Sequence, residues 1–108
     1  MARKFDPLKN VGTLVKLKGG GTVMGYIYPF EYSFGWSKTA QINTGTVGIV
    51  IRRDPRGLVE EKQLTEFDYY KSTKYYKRRY IIHILSQRKF YSIDRNSFDI
   101  ISETSNGT

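Results

Sequence analysis

Apolar and polar residues alternate at every second position in several short stretches of this chain, and no apolar stripe of helical period persists beyond two turns. Val11 to Lys18 is the first such stretch. Val11, Thr13, Val15 and Leu17 share one face, and Lys16 and Lys18 share the other. Gly45 to Arg53 is the clearest, with Val47, Ile49 and Ile51 facing one way and Gly48 marking a bulge or sharp bend. Tyr76 to Leu85 is apolar on both faces from Tyr80 onward, which predicts a strand covered on both sides. If Tyr80, Ile82 and Ile84 face inward, His83 faces outward with Ile81 and Leu85. Ser86 to Lys89 reads as a hairpin loop and Phe90 to Ile93 as the returning strand. Asp94 to Ser97 reads as a tight turn or a single 3₁₀ turn, and Phe98 to Ser102 as the closing strand.

Two long excursions interrupt this pattern. The first opens at Gly19-Gly20-Gly21, a chain breaker, and carries six rings at alternate positions: Tyr26, Tyr28, Phe30, Tyr32, Phe34 and Trp36. A run extended throughout would place all six on one face, as a core wall, a partner-protein surface or a stacking platform. Pro29 forbids a central ladder bond at its position and Gly35 marks a bend, so two short edge strands or one long loop both fit. Ser37 to Thr44 reads as a polar connection. The second excursion opens at Asp54-Pro55-Arg56-Gly57, a turn in which Pro presets φ and Gly permits a positive one. Beyond it, Leu58 to Leu64 suits two helical turns, Phe67 to Tyr70 a short strand and Lys71 to Lys74 a loop. Residues 1–10 form a basic arm broken by Pro7, residues 11–102 a single domain, and residues 103–108 a small polar tail that frays.

This predicts an all-β fold. Five short curved strands in about 100 residues point to a small closed barrel, because closure removes exposed edges. The order Val11–Lys18, Gly45–Arg53, Tyr76–Leu85, Phe90–Ile93, a one-turn link and Phe98–Ser102 resembles a Src-homology-3-like small barrel. The last third carries the resemblance best. The chain departs from that pattern in a long insertion at 19–44 and a long loop at 54–75. The acidic run that would receive proline-rich ligands is missing, with only Glu31 in its place. Gly45 to Val50 also resembles the glycine-rich strand of KOW elements. In style the chain is similar to the small basic barrels of tailed phages, which implies a virion component or a viral regulator.

At 108 residues the chain suits one domain with its own core. There is no Cys, which excludes disulfides, Cys-ligated zinc and thiol catalysis and fits a reducing compartment. No apolar run is long enough to span a bilayer, and Met1 to Pro7 lacks the apolar core of a signal peptide. The expected setting is the cytoplasm, or a particle assembled there, with no membrane partner. The net charge of +8 favours an anionic partner.

Catalytic chemistry is not legible. His83 is the one histidine, and it sits in the most apolar strand as a packed or sheet-surface residue. The carboxylates form no Mg²⁺ or acid–base constellation. Glu60, Glu61, Glu66 and Asp68 read as a solvated acidic patch. The glycine triplet lacks the Lys-Ser/Thr and helix of a phosphate loop. A non-enzyme without metal or cofactor is expected.

Binding chemistry is richer. Tyr69 to Tyr80 holds five tyrosines and five cations, and no acidic residue occurs from Tyr69 to Ile93. Cations that neutralise phosphates, interleaved with rings that stack on bases, suit a nucleic-acid strand. The expected contact set is Arg52, Arg53, Lys71, Lys74, Tyr75, Tyr76, Lys77, Arg78, Arg79, Arg88 and Lys89. The row Tyr26, Tyr28, Phe30, Tyr32, Phe34 and Trp36 contains no cation, and Glu31 would repel phosphate, so it is expected to pack on the domain or dock a protein. Two function classes follow. One is a nucleic-acid or nucleoprotein binder; the other is a structural or adaptor protein that meets a larger assembly through the aromatic row.

Overall fold

The computed structural model describes residues 12–58 and 76–102. The strands are β1 (Leu14–Leu17), β2 (Thr22–Tyr28), β3 (Tyr32–Ser33), β4 (Trp36–Ser37), β5 (Thr39–Asn43), β6 (Val47–Arg53), β7 (Arg79–Ile84), β8 (Lys89–Asp94) and β9 (Phe98–Ser102). Two 3₁₀ turns, Pro55–Leu58 and Arg95–Ser97, follow β6 and β8. The fold is all-β, as expected. A seven-stranded antiparallel sheet runs in the order β5-β2-β8-β7-β6-β1-β9, and β3 and β4 pair separately.

The five expected strands are β1, β6, β7, β8 and β9, with the one-turn link at Arg95–Ser97. The expected closed five-stranded barrel is not what the ladder shows. The aromatic excursion contributes β2 and β5, so the sheet has seven strands, and its two ends are not paired with each other. The reason lies in β2. Val23 and Gly25 are buried, Ile27 packs on the core, and Ile27 pairs with Tyr91, so β8 is covered by an added strand instead of by closure. The expected polar connection from Ser37 to Thr44 is largely β5. Only Ile42 of that strand is buried, and polar Thr39, Gln41 and Asn43 hide its alternation. β2 ends at Tyr28, immediately before Pro29, where the missing N–H would break a ladder.

One core joins these strands: Val15 and Leu17, Val23, Ile42, Val50, Tyr80, Ile82 and Ile84, Tyr91 and Ile93, and Phe98. Each such side chain stabilises the fold by about 1.5–3 kcal/mol. β7 is buried on both faces, as its unbroken apolar run predicts, with Ile81 fully buried opposite the main core. Gly48 does not mark the bulge. It pairs in register with Ile84 and Val15, and a Cβ there would sit 2.5 Å from Ile82 Cγ2 and 2.8 Å from the His83 carbonyl oxygen. The register slips instead between Val50 and Arg52, which sets Arg52 opposite Ile81 on the second face of the sheet.

The arm at 1–10, the helix and strand expected between 59 and 75, the acidic cluster and the tail at 103–108 lie outside the described residues.

Candidate binding surfaces

Asp54 sits between β6 and the first 3₁₀ turn with its carboxylate fully buried. Arg56 grips that carboxylate with Nε on Oδ1 at 3.0 Å and Nη2 on Oδ2 at 2.7 Å. The Arg56 backbone N–H donates to Oδ1 at 2.9 Å, the local turn an Asp favours. Ser92 Oγ donates to Oδ2 at 2.6 Å, and Arg79 donates through Nε to Ser92 Oγ at 3.1 Å and through Nη2 to the Ser92 carbonyl. Rings enclose the cations. The Arg56 guanidinium lies 3.7 Å from the Phe30 ring centroid, 4.1 Å from Tyr76 and 4.9 Å from Tyr26, and that of Arg79 lies 4.4 Å from Tyr26. Burial pulls the Arg56 pKa down, but the hydrogen bond and charge of Asp54 outweigh it and hold it above its ordinary value. Arg56 also donates through Nη1 to Ser37 Oγ at 3.0 Å. The network therefore bolts the base of the aromatic excursion to β6, β7 and β8.

The aromatic row does not form one face. Tyr26, Tyr28 and Phe30 are half-buried, and Tyr28 and Phe30 meet edge to face at 5.1 Å. Beyond them the chain makes a tight hairpin whose two turn residues, Phe34 and Gly35, have φ of 52° and 79°. Positive φ at both positions is the primed turn that fits strand twist, a site that ordinarily selects Asn-Gly. Ser33 pairs with Trp36 and Tyr32 with Ser37, so Tyr32 and Trp36 fall on opposite faces and Phe34 sits at the apex. Tyr32 is 55% exposed, Trp36 71% and Phe34 99%. At the neck, the Lys38 N–H donates to the Glu31 carbonyl at 2.7 Å, and the Ile27 N–H donates to the Lys38 carbonyl at 3.0 Å.

The expected nucleic-acid set is divided. Tyr76 and Arg79 are buried and belong to the internal network just described. Arg53 reaches the Lys77 carbonyl, and exposed Arg78 lies 3.6 Å from Asp94, so Arg53, Lys77 and Arg78 gather at one end of the β7–β8 hairpin. Exposed Arg88 and Lys89 lie at the other end, roughly 20 Å away at about 3.4 Å per residue. Lys71, Lys74 and Tyr75 lie outside the described residues.

The strand registers assemble a feature that the sequence did not single out. Tyr28 pairs with Phe90, Phe90 with His83, His83 with Ile49, and Ile49 with Leu14. Directly paired residues share a face, so these five form one row across β2, β8, β7, β6 and β1, opposite the main core. All five are half-buried. His83 stacks on Phe90 with centroids 4.4 Å apart and planes 6° from parallel. Arg52, exposed, donates to the Tyr28 hydroxyl at 3.3 Å, and exposed Lys16 pairs with Val47 one step beyond the row. The available signal was the i, i+2 alternation of His83 with Ile81 and Leu85. Its meaning needed the register of non-adjacent strands.

No family model, curated protein or solved structure matches this chain. Among the described residues, no group of three or more His, Asp or Glu is placed to hold a metal ion, and no helix is long and apolar enough to cross a membrane.

Proposed function

We propose that this chain is a non-enzymatic docking module that engages a partner protein through the tip of its β3–β4 hairpin. The observation that carries this is Phe34, fully exposed at the apex with Trp36 and Tyr32 open on either flank. Three aromatic side chains in water, on an arm braced by a buried ion pair, form a preorganised anchor. The backbone supports the reading too. A non-glycine residue at positive φ costs of order 1 kcal/mol, and strain of this kind collects at functional positions.

The occupant is a protein with an uncharged apolar socket. The rings project in three directions, which suits a concavity better than a flat surface. The neck carries one acidic and one basic residue, Glu31 and Lys38, so it draws neither a polyanion nor an anionic bilayer. Each ring buries roughly 150–250 Å². The tip thus supplies about half of the roughly 800 Å² per side of a standard interface, which makes it an anchor within a wider contact. The basic segment from Tyr69 to Arg79 supports the nucleic-acid reading less, because Tyr76 and Arg79 are consumed internally. The order of β1, β6, β7, β8, one 3₁₀ turn and β9 is consistent with a Src-homology-3-like small barrel whose first loop has grown into the docking arm.

The test compares wild type with Phe34→Asn and Trp36→Ala in affinity capture from the native host. Asn suits the backbone at position 34, so Phe34→Asn keeps the fold while deleting the knob. A protein held by wild type and lost from both variants is the expected result. Equal capture by all three, with native circular dichroism, overturns the proposal.

A further inference from the structure

We infer that the second face of the sheet is a binding site for single-stranded nucleic acid, centred on the stacked His83–Phe90 pair and flanked by Tyr28, Arg52, Lys16 and Arg88. This site is separate from the hairpin tip and does not depend on it.

The 4.4 Å between the ring centroids nearly matches the roughly 4.8 Å between neighbouring strands. The two rings therefore stand upright on the sheet, and the far face of His83 looks toward β6. The paired residue there is Ile49 and the next is Leu14, both aliphatic and shorter than a ring. A nucleobase laid above Ile49 continues the stack by one member, with apolar floor beneath it. Tyr28 extends the row on the other side of Phe90. Every base has a π-face, so such a platform tolerates sequence, and each stacked base contributes roughly a five- to hundredfold gain in affinity.

Charge selects the occupant. Lys16 and Arg52 flank the row, and Arg88 lies in the loop before β8, whose first residue, Lys89, pairs with Ile84 and so belongs to the other face. Among the described residues no ion pair engages any of these four. Of the carboxylates described on this face, Asp54 is sealed beneath Arg56, and Asp94 sits at the far end, near Arg78 and accepting from the Asn96 N–H. Asp99 lies opposite Lys16 on β9, at the edge of the row, and is held by Lys18 at 2.9 Å. Arg88 adds an independent sign. It and Phe34 are the two non-glycine residues at positive φ among those described, and Arg88 has φ of 54° where Gly or Asn would sit without strain. A cation is retained beside the row at a conformational cost. Duplex is disfavoured, because its bases are already stacked and the described residues contain no groove-reading α-helix.

The experiment is fluorescence anisotropy with labelled oligo-dT and oligo-rU of about twelve nucleotides, and a duplex of equal length, at about 50 and 200 mM salt. Wild type is expected to bind the single strands more tightly than the duplex and to weaken steeply with salt. Phe90→Ala and His83→Ala should each lose roughly five- to hundredfold at both salts with the salt slope unchanged. Arg52→Gln should lower that slope by about 0.7. Arg88→Gly should bind less tightly while unfolding at a higher urea concentration, a pairing that a merely structural role does not produce. Phe34→Asn should bind nucleic acid as wild type does, so failure here and failure of protein docking are told apart. No binding at the lower salt, a duplex preferred over single strands, or undiminished binding by folded His83→Ala and Phe90→Ala would overturn the inference.

Discussion

Replacing Arg56 with Met removes the one of the network's two cations that pairs directly with Asp54, and little of its volume. Asp54 is then left as a carboxylate with no accessible surface, holding only the Ser92 hydroxyl and a backbone N–H. Breaking a buried pair by deleting one partner costs about 3–5 kcal/mol, because the surviving charge is uncompensated. The guanidinium also loses three ring contacts, each worth about 0.5–2 kcal/mol, and the Met thioether recovers part of that against the same rings. The net expectation is about 3–5 kcal/mol, a large share of the roughly 5–15 kcal/mol that holds a domain together. In urea, at a slope of about 1.5 kcal/mol/M, the midpoint should fall by about 2–3 M. Asp54→Asn combined with Arg56→Met should recover at least about 1.5 kcal/mol relative to additivity, since the carboxylate that Arg56 compensates is gone as well, although buried Arg79 remains. A midpoint shift equivalent to less than about 1 kcal/mol, or strict additivity in the double variant, would show that the clamp does not hold the excursion.

Gly48→Ala should destabilise by about 1–3 kcal/mol or more in urea, because its methyl would meet Ile82 and the His83 carbonyl oxygen inside contact distance; a neutral result refutes the packing described at β6. Burial pushes the Tyr91 phenol above its ordinary value, so its stabilising effect is complete below about pH 10 and is lost as pH rises through the folded-state value. Stability of wild type should therefore decline above pH 10, Tyr91→Phe should flatten that decline, and an ultraviolet phenolate titration of the wild type should contain a late-ionising tyrosine that Tyr91→Phe lacks. Phe34→Asn should leave the stability read from urea unfolding unchanged or raise it by about 0.5–1 kcal/mol, because Asn accepts the positive φ more readily than Phe.

Which parts of this fold were legible follows from which interactions are local. Tyr80, Ile82 and Ile84 could be assigned to the core from alternation alone, and the turn at Asp94–Ser97 from its polar residues, because both signals lie within a few neighbours. The aromatic row misled because period two implies one face only while the chain stays extended. Phe34-Gly35 turns it back, and Phe is not a residue that announces a primed turn. Arg79 looked like a surface cation among tyrosines. It is buried because Ser92 and Asp54, far away in sequence, come together around it. The Tyr28–Phe90–His83 row has the same origin. It exists only once β2 adds to β8, a pairing set by the register of residues more than sixty positions apart.

The most direct test of the docking role is a photo-crosslinking phenylalanine analogue placed at position 34 and irradiated in the native host, with an equivalent probe at exposed Gly20 as the control. A single protein adduct formed from position 34, absent from the control and diminished by Arg56→Met, is the predicted result. Adducts to lipid or nucleic acid, a second copy of this chain as the main product, or no adduct at all would contradict the role assigned to the hairpin.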